Sequence, residues 1–183
     1  MKNKSVLKNF AVAVSAVFIS GCSLISPAVP QVNYYDLNFN GTEKFVVPYQ
    51  IVYRNFQNMS PVKMNFVYTE KNSLQILDQY NFWTQSPEIM LQRYLFNAVR
   101  CNADSEKMLT ISLTVYDFKF NAAEKKCQLG AAVRFMKSHD GRIEKNYTVE
   151  VPVDTADRAS FVNGMNKCAL EFTNQLVRDI KKI

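Results

Sequence analysis

Cys22 is the residue best placed to do chemistry. It closes the run Ile19-Ser20-Gly21-Cys22, directly after the apolar stretch FAVAVSAVFI of residues 10–19. A thiolate is a strong nucleophile, and small residues ahead of it give an enzyme room to reach the backbone. That combination fits a thiol presented to a modifying enzyme. Lys2, Lys4 and Lys8 supply a basic segment upstream. The apolar run is ten residues long, whereas a spanning helix needs roughly 17–25. Charge, run length and small residues therefore have the order of a signal peptide.

Ile19, Ser20, Gly21 and Cys22 together resemble a bacterial lipobox. That resemblance implies diacylglycerol on the Cys22 sulfur and an acyl chain such as palmitate on the new amino terminus. Each buried methylene contributes about 0.8 kcal/mol to anchoring. The following residue is Ser23 rather than Asp. By similarity to lipoprotein sorting in Gram-negative bacteria, this implies the periplasmic face of the outer membrane. Residues 1–21 then form the signal peptide, and 22–33 a lipidated tether that contains Pro27 and Pro30. Residues 34–183 are long enough for one domain with a real core.

The remaining chemistry is sparse. Cys101, Cys127 and Cys168 stand 26 and 41 residues apart, spacings that match no zinc motif. An oxidising compartment permits a disulfide. Cys101–Cys127 is the expected pair, with Cys168 a buried thiol, although spacing alone leaves the connectivity open. The chain has one histidine, His139, beside a turn glycine. No second histidine can join it in a metal site or a triad. No G-x-S-x-G, P-loop or dinucleotide fingerprint occurs. The expectation is a non-enzyme without metal or cofactor beyond its covalent lipid. Without the three signal lysines the chain carries 19 basic and 16 acidic side chains, too even a balance to suggest nucleic acid. Tyr34, Tyr35 and Trp83, with Tyr80 and Phe82, either contact a lipid, peptide or partner, or fill the core as large aromatics usually do.

Those residues need elements to position them. Tyr34–Leu37, Phe45–Tyr53 (interrupted at Pro48), Met64–Tyr68 and Leu74–Trp83 read as strands, with a turn at residues 70–73. Ser86-Pro87-Glu88 is a helix start, and Leu91, Tyr94, Leu95 and Ala98 then share a face as far as Arg100 or Cys101. Residues 108–120 alternate through Leu109, Ile111, Leu113 and Val115, then change phase to Tyr116, Phe118 and Phe120, which predicts a bulge. Strands follow through Cys127–Phe135 and Ile143–Val151, joined by an Asp-Gly hairpin signal at Asp140-Gly141. Phe161, Met165, Cys168, Ala169, Phe172, Leu176 and Ile180 keep helical spacing. The expected fold class is α+β: a mainly antiparallel sheet under two long helices, in the order strands, helix, three strands, helix.

The ordered motifs carry a wider resemblance. A lipobox, Tyr34-Tyr35-Asp36-Leu37, Val47-Pro48-Tyr49, Ile51-Val52-Tyr53-Arg54, Trp83 before the first helix, three alternating strands and a terminal helix resemble the ABC-type transport auxiliary lipoproteins, the PqiC-like family. Residues 54–83 carry an additional hairpin. The resemblance implies lipid transport between the two membranes and a part in membrane integrity. The implied partners are an ABC permease and ATPase and an MCE-domain protein spanning the periplasm. The subunit would dock that conduit at the outer membrane and bind phospholipid or assemble as a homo-oligomer. The rival reading is a pilotin-like assembly lipoprotein of a secretion or appendage complex.

Overall fold

The computed structural model describes residues 30–42, 44–70, 75–102, 104–137 and 141–183. The signal peptide, Ile19 to Cys22, and most of the tether lie outside the described residues. So do the turn at 71–73 and His139-Asp140. A compact unit runs from Val32 to Ile183.

Nine strands and two helices are described. They are β1 (Asn33–Tyr35), β2 (Phe45–Val47), β3 (Gln50–Asn58), β4 (Asn65–Thr69), β5 (Gln75–Trp83), α1 (Pro87–Ala98), β6 (Val99–Cys101), β7 (Met108–Asn121), β8 (Lys126–Lys137), β9 (Arg142–Pro152) and α2 (Arg158–Ile180). The α+β class holds. The seven-stranded sheet runs β1-β5-β4-β7-β8-β9, with β3 also on β7. It is mixed rather than mainly antiparallel. β1–β5, β3–β7 and β4–β7 are parallel, while β4–β5, β7–β8 and β8–β9 are antiparallel. Alternation of side chains is the same in both arrangements. Direction is set by the connections, and the crossover from β3 through β4, β5, α1 and β6 returns the chain parallel on β7.

Local sequence explains most boundaries. Pro48 cannot donate to a ladder, so the expected single strand breaks into β2 and β3. Ser86 is the N-cap of α1 with Pro87 at its first position. The helix stops at Ala98, because Val99–Cys101 pair in parallel with Phe45–Val47. This makes four strands, not three, between the helices.

The predicted bulge is present. The β7–β8 register shifts between Val115 and Asp117, so Tyr116 is the extra residue and the inward face passes from Val115 to Phe118. The Tyr116 ring lies over Gly130, where an added Cβ would also meet Asp117 Cβ at 2.9 Å. Its hydroxyl donates to Tyr147 O at 2.9 Å.

Both helices cover one sheet face. The whole apolar stripe of α2 read from the sequence, Phe161 through Ile180, is buried. Cys127, Leu129, Ala131, Val133 and Phe135 of β8 face it. Phe161 sits among aromatic rings: Phe66 at 4.7 Å, Trp83 and Phe120 at 5.4 Å, and Tyr68 at 5.7 Å between centroids.

The three thiols are free, so the expected Cys101–Cys127 bridge is not formed. Cys101 is half-buried on β6, where its sulfur accepts from Ile51 N–H at 3.4 Å. Cys127 is buried on β8 under α2, its Sγ donating to Phe161 O at 3.5 Å. The Cys168 sulfur donates to Cys127 O at 3.5 Å. Burial pushes the Cys127 thiol up to about 12 and the Cys168 thiol higher still. Since thiolate is the reactive form, native-state alkylation is expected to modify Cys101 first. Mass spectrometry should find Cys127 and Cys168 labelled only after unfolding. Equal labelling of all three in the native protein would contradict this packing.

Candidate functional site

The parallel pairing of β1 with β5 brings the aromatic candidates together. Tyr34 lies opposite Phe82 and Tyr35 opposite Trp83. Side chains alternate across a sheet, so the two tyrosines separate. Tyr35 turns inward, its ring 5.0 Å from Phe66. Tyr34 turns outward against Phe82 at 5.8 Å and is 64% exposed. Trp83 is fully buried, with ring contacts to Phe66 at 4.6 Å and Phe118 at 5.2 Å. It is a core residue and not a contact for a ligand arriving from solvent. The residue type allowed either role, and only the register decided.

A groove of about 590 Å³ opens beside Tyr35, lined also by Tyr68, Asp78 and residues Ala156 to Ala159 at the start of α2. Its floor is an ordered polar network. Four residues of β5, Asp78–Asn81, bulge opposite the single residue Phe66 between the pairs Val67–Leu77 and Asn65–Phe82. The Asp78 carboxylate closes this bulge. Its Oδ1 accepts from Tyr80 N–H at 2.8 Å and Asn81 N–H at 3.1 Å. Its Oδ2 accepts from Asn81 Nδ2 at 2.7 Å and the Tyr68 hydroxyl at 3.2 Å. Asn81 is itself fully buried. Its Oδ1 accepts from Asn33 Nδ2 at 3.3 Å and the Tyr35 hydroxyl at 3.4 Å. β1 is thus fastened to β5 through side chains as well as backbone.

Electrostatics keep the network in one protonation state. Burial pushes the Asp78 carboxyl up, but the hydrogen bonds from Tyr80, Asn81 and Tyr68 outweigh it and hold the carboxyl below its usual range. Burial, reinforced by the Asp78 charge, raises the Tyr68 phenol, against the pull of Arg158. Tyr68 therefore remains a donor. Arg158 forms no ion pair among the described residues, and it follows Asp157, whose carboxylate caps α2 by accepting from Ser160 N–H at 2.8 Å. The groove offers two phenol rings, a fixed polar floor and one guanidinium at a helix start. The carboxylates of Asp78 and Asp157 line it too, so the groove presents charges of both signs beside its aromatic walls. Sequence reading missed Tyr68, Asp78, Asn81 and Arg158, because they come from three elements joined only by long-range pairing.

The sign of the pH dependence follows. The folded carboxyl of Asp78 titrates below its unfolded value of about 3.9. Its contribution is present above that pH and is lost as pH falls through the depressed folded value. Urea midpoints are expected to hold from neutral pH to about 4 and to fall below it, with a shallower fall in Asp78→Asn. Identical acid slopes in the two proteins would remove Asp78 as a contributor.

Comparison with known proteins shows the fold alone. No family model matches the chain, and no curated protein matches it. It is similar to a solved structure described as an uncharacterized protein, at 13% identity and a TM-score of 0.60, covering 82% of this chain and 99% of the other. It is also similar to protein XCC0632 from Xanthomonas campestris, described under the family model DUF330. There the identity is 18% and the TM-score 0.55, with 81% of this chain and 90% of the other covered. The expected membership of the ABC-type transport auxiliary lipoproteins is corrected accordingly: no family model supports it, and neither description states a transport role. The motifs behind the resemblance have structural jobs here. Tyr35 and Trp83 pack the core, and Pro48 separates two strands. Short motifs of that kind mark strand and core positions rather than a shared activity.

Proposed function

We propose that the chain is a lipid-anchored, non-catalytic docking subunit of an envelope lipid transport system at the outer membrane. The observation that carries this reading is continuity. The lipobox-like Cys22 is followed by a short tether that runs into β1, and β1 forms one wall of the groove. A groove with tyrosine walls, Arg158 and the carboxylates of Asp78 and Asp157 offers charges of both signs, which suits a zwitterionic phospholipid headgroup such as phosphoethanolamine. No helix among the described residues is long and apolar enough to cross a membrane; in this reading the anchor is the acyl chains at Cys22.

The opposite end of α2 suits a protein partner. The helix is 23 residues long, or about 34 Å at 1.5 Å per residue. At its carboxyl end Lys145, Arg178 and Lys182 line a second groove of about 390 Å³. Asp179 neutralises part of this charge. It accepts from Lys145 Nζ at 2.9 Å and from the Tyr147 hydroxyl at 2.8 Å. The remaining cations fit an acidic surface on a periplasm-spanning component.

Affinity purification of the tagged, lipidated protein in mild detergent, with mass spectrometry of proteins and lipids, tests the reading. Recovery of an MCE-domain protein or an ABC permease supports it. Recovery of a secretin or appendage component without lipid overturns it in favour of an assembly factor. The anchor has its own test. Cys22→Ala is expected to abolish lipid attachment and remove the protein from the outer-membrane fraction. Normal fractionation of that variant would exclude the lipobox reading.

A further inference from the structure

The outer face of the sheet, opposite the helices, changes character along its width. Across β7, β8 and β9 it is polar and internally paired. Asp117 bridges to Lys119 at 2.8 Å and accepts from Gln128 at 3.2 Å, and Arg134 pairs with Glu144 at 3.5 Å. Across β1 and β5 the same face is apolar. Phe66 and Tyr68 pack inward; Val67 between them is also buried, but its register partner Leu77 on β5 reaches solvent. Tyr34 and Phe82 pair on that face, as shown above. Leu77 is 56% exposed, and Tyr80, in the bulge between Leu77 and Phe82, is exposed as well. Val32, two residues before Tyr34, adds a further exposed apolar side chain.

We infer that this patch lies against the phospholipid surface of the membrane to which Cys22 is anchored, and that it orients the domain there. The inference rests on the lipid anchor proposed above. The argument for this occupant is where the tether ends. Only ten residues lie between Cys22 and Asn33, so the eleven steps from one to the other reach at most about 40 Å when fully extended, at 3.3–3.6 Å per residue. The patch begins where the tether ends in sequence, because Asn33 opens the strand that carries Tyr34. An anchored chain meets its own bilayer at high effective concentration, so a modest patch suffices. Tyrosine with apolar neighbours is the composition that partitions to the membrane–water boundary. The charged part of the sheet face is displaced toward β9, away from the tether.

The test uses the full lipidated protein reconstituted in phosphatidylethanolamine and phosphatidylglycerol vesicles, with and without brominated lipid. Intact mass and vesicle flotation are measured first. Tyr34→Trp and Leu77→Trp are compared with Phe96→Trp, an exposed site on α1. The native Trp83 is buried and supplies the unquenched baseline. Bromine is expected to quench the added emission at 34 and 77 by at least about twofold, with a blue shift, and to leave that at 96 unchanged. Floating, lipidated protein with no quenching at 34 and 77, or with equal quenching at 96, overturns the inference while leaving the anchor intact. It would give the patch to a protein partner or a second copy. Absence of lipid on Cys22 overturns the anchor, and this inference with it.

Discussion

Phe161→Ala is expected to cost about 3–5 kcal/mol of folding stability, the range for deleting a fully buried aromatic ring. Phe161 is the first large residue of α2 to reach the core, and it touches rings from β4, β5 and β7. Its loss leaves Phe66, Trp83 and Phe120 without the partner that fills the space between helix and sheet. Those rings are held by their strands and close the cavity only in part, so the cost lies well above simple transfer. Urea unfolding should show a lower midpoint with an unchanged slope, because the surface exposed on unfolding stays the same. A loss below about 1 kcal/mol would mean that the cluster repacks freely, against the close packing of protein interiors. Phe161→Leu keeps most of the volume and should recover much of the loss.

Gly164→Ala is the second large effect, and its sign is informative. In an ordinary helix interior the change stabilises by about 0.8–1 kcal/mol. At this position the new methyl would fall onto Cys127 Sγ and come within 2.7 Å of Val153 Cγ1. At Gly164 α2 packs directly on Cys127 of β8, and overpacking of that kind costs about 1–3 kcal/mol. Net destabilisation of up to about 2 kcal/mol is expected from the two opposing effects. The double variant Gly164→Ala/Cys127→Ala removes the sulfur and should be more stable than the sum of the single changes predicts. The coupling energy of that cycle isolates the contact. Stabilisation by Gly164→Ala alone would show that the helix stands further from the sheet.

Tyr68 and Asp78 show how the groove combines stability and site. The carboxylate that shapes the β5 bulge also fixes the phenol on the groove wall. Substituting either should loosen β1, since Asn81 relays the same network to Asn33 and Tyr35. β1 is thereby coupled through side chains to the groove beside it.

The sequence alone determined what depends on near neighbours along the chain. The α2 stripe from Phe161 to Ile180, the helix start at Ser86-Pro87 and the alternation along β8 all follow from periods of 3.6 and 2. Those periods are set by the backbone. The phase change after Val115 even located a bulge, because one extra residue inverts every later side chain. The lipobox-like run at Cys22 is likewise local, since its chemistry needs contiguous residues. Tertiary structure decided everything that depends on which strand meets which. Parallel and antiparallel strands carry the same alternation, so the mixed sheet was not legible. Cys101–Cys127 was the expected pair, but the fold sets Cys101 against Ile51 and Cys127 beneath α2 against Phe161, and both thiols are free. Tyr34, Tyr35 and Trp83 are alike as aromatic residues. The β1–β5 register sent Trp83 into the core, Tyr35 to the groove and Tyr34 to the outer face. That three-way division requires a pairing 48 residues apart in sequence, and no local pattern encodes it.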